Sequence, residues 1–344
     1  MNLSRRQFII TTGTLAAGSG LLTLGSCNIR KKPAIRQMNF DYTGPHEYFK
    51  DFRDLCRDIR SVQVLENTFE QAVSSSSPLV YLTEPLNNKA VKLLMLLEQG
   101  KDILVLPPLA TDYDEFNAIQ LQCNTLDNRL ALINPFRYFP SFLEFKRLVS
   151  GGTAGNISKI EISIDPDYTI PHLPPVEGIT GSALLLITTI NEMIASFPVS
   201  VGAELTGQAG TDEGRLLKAL AFDYEALILN CHFIPGTGGW KITAGGEKKI
   251  LELNDTGELL SESNEVLVRG NRQVMTESLG KSIEDFVTAA RNRNEPESNS
   301  AEGLTQIIIN RAVEKATTEG GKINLVERPY YYEDDKVWLQ KNYI

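Results

Sequence analysis

Several things are scarce in this 344-residue chain, and each shortage excludes something. There are four cysteines, Cys27, Cys56, Cys123 and Cys231, with no Cys-x-x-Cys spacing. That pattern excludes a disulfide framework and a thiolate metal centre; the last three read as small buried apolar residues. The three histidines, His46, His172 and His232, are too scattered to suggest a metal cluster, so no metal is expected. Beyond Cys27 no stretch supplies the roughly 18 uncharged apolar residues of a membrane-spanning helix. Positive charge is also short. Residues 1–26 hold two of the 34 basic side chains and none of the 43 acidic ones, which leaves a net −11 on the rest. Such an acid excess excludes nucleic acid and anionic lipid as electrostatic partners.

The N-terminus is better endowed. Ser4-Arg5-Arg6-Gln7-Phe8-Ile9 reads as a twin-arginine export signal, and Leu24-Gly25-Ser26-Cys27 as a lipoprotein cleavage and acylation site. The expected organisation is a signal peptide over residues 1–26 and a tether over 27–34. The mature protein is then anchored by lipid on Cys27 at the periplasmic side of a bacterial envelope. Export by this route is associated with cargo folded around a cofactor.

From residue 35 strand-like and helix-like stretches alternate. Strands are predicted over Ile35–Tyr42, Ser61–Leu65, Leu79–Leu82, Ile103–Leu106 and Leu130–Ile133. Between them the spacing predicts helices over Pro45–Asp58, Thr68–Val73, Asn88–Gln99 and Tyr113–Leu126. Such alternation means a parallel sheet with crossover helices. The second half reads differently. A helix over Phe142–Val149 precedes a strand over Ile157–Ile164, a Pro-rich loop over Asp165–Pro175 and an apolar helix over Ser182–Ser196. Six strand candidates between Val199 and Leu260, split by turn signals, predict a mostly antiparallel sheet. Ser282 reads as the cap of a helix over Ile283–Arg291, and a last helix ends near Gly320-Gly321.

Four stretches carry a family resemblance. Leu97-Glu98-Gln99-Gly100-Lys101-Asp102-Ile103-Leu104-Val105 matches a helix-to-strand junction, and Pro108-Leu109-Ala110 the end of an "EKPla" motif. Asn134-Pro135-Phe136-Arg137-Tyr138-Phe139-Pro140, with Lys146 and Gly152 to Ile157, matches a "fnRRf.P" passage into a second domain. Ile283–Ala290 with Glu295-Pro296-Glu297 matches a C-terminal "dF...ir.g..P" region. Over about residues 79–325 the chain resembles the Gfo/Idh/MocA family of oxidoreductases. The resemblance implies an α/β fold. A reduced Rossmann-like parallel-sheet domain over residues 35–135 precedes an α+β domain with a large, mostly antiparallel open sheet over 136–327. An aromatic tail over 328–344 follows.

The departures bear on function. A dinucleotide fold uses Gly-x-Gly-x-x-Gly so that the backbone can approach the pyrophosphate. Here the first strand runs into Asp41-Tyr42-Thr43-Gly44-Pro45, with one glycine. Glu66 is the candidate ribose-binding acid, about 20 residues on. Glu84, Pro85, Lys89 and Pro108 match other cofactor-side positions. The family's lysine falls on Pro107, its aspartate on Leu186 and its histidine on Ile190, so no catalytic residue is assigned. Asn134, Arg137, Tyr138, Tyr168, His172, Asn191 and Glu192 are the remaining ligand-cleft candidates.

The expectation is a diverged, non-catalytic family member that binds a carbohydrate-like ligand or a protein partner and needs no cofactor. The alternatives are an active NAD(P)-dependent sugar oxidoreductase or NAD-dependent glycosidase with non-standard catalytic residues, and a structural subunit of an envelope complex. The resemblance also implies a homo-oligomer joined through the open sheet.

Overall fold

The computed structural model describes residues 37–325, apart from 179, 195, 197, 207–215 and 272, and the backbone of 331–333 and 336–338. The expected signal peptide and tether, with Arg5, Arg6 and Cys27, lie outside the described residues, as does most of the aromatic tail. Among the described residues no helix is long and apolar enough to cross a membrane.

The first sheet has five strands: β1 (Met38–Thr43), β2 (Val62–Glu66), β3 (Leu79–Leu82), β4 (Asp102–Val105) and β5 (Leu130–Leu132). All pairs are parallel, in the order β2-β1-β3-β4-β5. The connections are helices α1 (His46–Leu55), α2 (Phe69–Ser74), α3 (Leu86–Glu98) and α4 (Tyr113–Leu126). The strands β3, β4 and β5 are buried throughout. This is why they read as short unbroken apolar runs: a parallel sheet is covered on both faces. One buried acid interrupts β1. Asp41 accepts the hydroxyls of Ser75 at 2.5 Å and Ser77 at 2.6 Å, and Lys101 ties the carbonyls of the same two serines. Thr68 and Gln71 form a reciprocal capping box at the start of α2.

The second half contributes α5 (Pro140–Ser150), β6 (Ile157–Ile164), α6 (Ala183–Ile194), β7 (Ser200–Thr206), β8 (Leu216–Asp223), β9 (Ile228–Phe233) and β10 (Trp240–Gly246). It continues with β11 (Ile250–Asn254), β12 (Leu259–Ser261), β13 (Val266–Val268), α7 (Val274–Asn292), α8 (Ser300–Glu319) and β14 (Lys322–Asn324). Its nine strands lie in the order β13-β12-β11-β10-β6-β9-β8-β7-β14, antiparallel except for the β6–β9 pair. In the tail β15 (Tyr331–Glu333) and β16 (Lys336–Trp338) pair with each other.

Two readings need correction. Ser282 is not a helix cap. The helix begins at Val274, eight residues earlier, because Met275 and Leu279 continue the apolar stripe of Ile283 and Phe286 upstream across Gly280. Nor do the C-terminal helices belong to the second sheet alone. Phe286 of α7 packs on Phe40 of β1 at 5.7 Å between ring centres. The backbone of Ser298, just before α8, accepts the amide of Leu132 in β5.

Candidate functional site

In an open parallel sheet ligands bind beyond the carboxyl ends of the strands, where the order reverses. Here β1 leads outward to β2 and back to β3. A cleft of about 780 Å³ opens at that edge. The loop after β1 supplies Thr43, Gly44 and Pro45; β2 ends at Glu66, followed by Asn67 and Thr68; Thr83, Glu84 and Pro85 follow β3. Pro174 and Pro175 of the Pro-rich loop, with Glu177 just beyond it, close the cleft from the second half.

The loop after β1 is packed rather than cradle-shaped. The Tyr42 ring is wholly buried against Phe49, Phe52 and Tyr81, and its hydroxyl donates to the Pro45 carbonyl at 2.9 Å. The tyrosine therefore lies beneath the cleft and does not fill it. A Cβ at Gly44 would stand 2.0 Å from the Thr83 hydroxyl and 2.9 Å from that of Tyr42, so the single glycine is needed for close packing. The helix that follows starts with Pro45 as its cap, makes no side-chain capping bond and carries Glu47 in its first turn. These residues do not fit a pyrophosphate, which needs free amides and no acid at that point.

The charged side chains of the cleft are engaged. Glu66 lies 2.6 Å from His46 Nδ1, which holds the imidazole above its ordinary pKa. Glu84 pairs with Lys92 at 2.7 Å. Glu177 accepts the Leu86 amide at the start of α3, at 2.6 Å. Lys89, 1% exposed, donates to the carbonyls of Leu106 at 2.8 Å and Pro108 at 3.0 Å. Burial pushes its ammonium down to about 8, with Glu177 and Glu84 opposing. A lysine thus reaches the loop on which the family's lysine position falls, but from α3 rather than from position 107.

Of the cofactor-side candidates, Glu66, Glu84, Pro85 and Lys89 line this cleft, while Pro108 is buried in the loop after β4, as is Pro107 at the lysine position. The other candidates go elsewhere. Leu186 and Ile190 are fully buried in α6. Asn191, 4% exposed, accepts the Tyr224 hydroxyl. Asn134 donates to Glu302 at 2.5 Å and to Thr189 at 3.1 Å, wholly buried. Arg137 bonds Glu302 at 3.0 Å and Glu192 at 2.5 Å. With Tyr138 and Lys146, Arg137 and Glu192 line a separate depression of about 340 Å³. His172 does not reach the cleft. It bridges Asp51 of α1 at 3.0 Å and Thr276 of α7 at 3.2 Å, in a third groove. Tyr168 is half-buried against the core, and burial pushes its phenol up to about 12.

Glu177 and the threonines were missed by sequence reasoning. Thr43 and Thr83 stand at ends of parallel strands, a signal that was available. Glu177 gave none, because its partner is 91 positions away. Among the described residues no group of three potential metal ligands occurs.

No protein-family model matches the chain, and no curated protein matches it in sequence. Solved structures do match. The WlbA dehydrogenase from Bordetella pertussis, in complex with NADH and UDP-GlcNAcA, is 13% identical with a TM-score of 0.69, over 86% of this chain and 99% of that one. A scyllo-inositol dehydrogenase from Lactobacillus casei with NAD(H) and scyllo-inositol is 14% identical with a TM-score of 0.67, over 84% and 99%. A putative myo-inositol dehydrogenase from Sinorhizobium meliloti 1021 is 16% identical with a TM-score of 0.64, over 84% and 99%. With its five-stranded parallel sheet joined to a nine-stranded open one, the chain has the fold of the Gfo/Idh/MocA-type oxidoreductases.

Proposed function

We propose that the chain is a strongly diverged, non-catalytic protein on the dehydrogenase fold. It is held by lipid on Cys27 at the periplasmic face of a bacterial envelope, and its cleft binds a carbohydrate-like ligand. The observation that carries this reading is the chemistry of three positions. Proton transfer needs groups that gain and lose a proton near working pH. Pro107, Leu186 and Ile190 have none, and all three are buried. The ligand class follows the solved structures of this fold, one holding UDP-GlcNAcA and another scyllo-inositol. Calorimetric titration with NAD(H) and NADP(H) tests the reading: no heat is expected at micromolar protein, and micromolar binding of either overturns it.

Lys89 favours a second reading, an NAD(P)-dependent enzyme acting on a sugar. Its ammonium, brought down to about 8 by burial, is suited to proton transfer near neutral pH. Nicotinamide absorbance in protein purified without added cofactor, with turnover abolished by Lys89→Met, would support this over the first reading.

A further inference from the structure

Glu177 distinguishes this cleft from an anion site. The residue reaches from just beyond the Pro-rich loop to the Leu86 amide, the first of α3. The first turn of a helix offers unpaired N–H groups and the positive end of its dipole. At this edge those are the groups a phosphate would seek, and a carboxylate of the chain itself already holds one.

The other charges point the same way. Three carboxylates, Glu66, Glu84 and Glu177, line the cleft against one lysine. Lys89 gives two of its protons to backbone carbonyls. Glu66 and Glu84 each have a basic partner outside the lining, the His46 imidazole and the Lys92 ammonium. Glu177 accepts a backbone amide, and the cation it acts on is the buried Lys89 ammonium. A phosphate entering here meets the like charge of three carboxylates, Glu84 half-buried and Glu66 and Glu177 exposed. Hydroxyl and ammonium groups, by contrast, find acceptors in the carboxylates and in Asn67 and Gln71. Pro85, Pro174 and Phe69 give apolar ground for the carbon face of a ring.

Resting on the reading that this cleft binds a ligand, we infer that Glu177 is its specificity-determining residue. It bars phosphate-bearing molecules, nucleotides included, and favours an uncharged or amino-bearing polyhydroxylated ring. The full chain, purified in detergent, is titrated calorimetrically with NADH, ATP and glucosamine as wild type, Glu177→Gln and Glu177→Lys. Glu177→Gln is expected to tighten NADH and ATP at least tenfold, Glu177→Lys more, and both to weaken glucosamine at least tenfold. Nucleotide affinities unmoved in both variants overturn the inference, and so does glucosamine binding that survives Glu177→Gln unchanged. Thermal melting reports whether each variant folds, and Glu177→Ser replaces one that does not. Micromolar NADH binding by the wild type would defeat the non-catalytic reading. The inference itself is decided by the change between wild type and variant.

Discussion

The cleft and the interior beside it are built in opposite ways. In the cleft, polar side chains from four loops face an open volume, and Glu66 and Glu84 are paired with bases outside the lining. In the interior, Leu106, Leu109, Leu186 and Ile190 are at most 3% exposed, and Gly303 of α8 approaches so closely that a Cβ would stand 2.8 Å from Leu109. The motif residues Asn134 and Arg137, candidates for the ligand cleft, instead converge on one carboxylate of α8, Glu302. The difference teaches that a fold can keep an open cleft while the positions to which the resemblance assigns proton transfer are packed as core. Retaining the fold then says little about retaining the reaction.

That contrast can be broken most forcefully from the packed side. Leu186→Asp restores the acid that the resemblance implies, but it buries an unpaired carboxylate. It should cost more than about 4 kcal/mol and leave little folded protein in denaturant titration. A well-folded Leu186→Asp variant would mean that the interior is more open than its burial indicates. Next, Glu302→Ala removes the shared partner of Asn134 and Arg137. Breaking a buried pair from one side costs about 3 kcal/mol or more, which urea unfolding would register. A change under about 1 kcal/mol would show that the network is not what joins α8 to the loop after β5.

Lys89 sharpens the contrast from the cleft side. Its folded pKa of about 8 is below its unfolded value, so between the two the unfolded chain binds more protons. Its contribution to stability is therefore lowest below pH 8 and rises with pH toward the unfolded value of about 10.4. The pH-dependent part amounts to about 3 kcal/mol. Measured as wild type minus Lys89→Met, the stability difference should increase between pH 7 and pH 10. A flat difference would mean that the ammonium is solvated, as it would be if the cleft reached deeper than the structure has it.

Much of this was legible in the sequence, for identifiable reasons. The limits of β3, β6 and α4 match the sequence reading residue for residue, because each is bounded by a change of period or by turn residues. The early start of α7 was hidden by Gly280, which reads as a breaker although packing on both sides holds it in a helix. Of the cleft-lining residues, Glu66, Glu84 and Lys89 are singled out by the sequence because they follow strand ends or motif spacing. His172 and Tyr168 were assigned to the cleft because their loop passes near it, and only tertiary contacts decided that His172 turns toward α1 and α7.

By itself the sequence determined the alternation of strand and helix, the division into a parallel and a mostly antiparallel sheet, and the lack of titratable groups at positions 107, 186 and 190. Those follow from local periodicity and residue chemistry, which need no partner. Only the tertiary structure decided that Tyr42 lies under the cleft, that Lys89 reaches the loop beside Pro107, and that Glu177 closes on Leu86. Each depends on pairing between segments distant in sequence, and burial and charge act on those pairings through space.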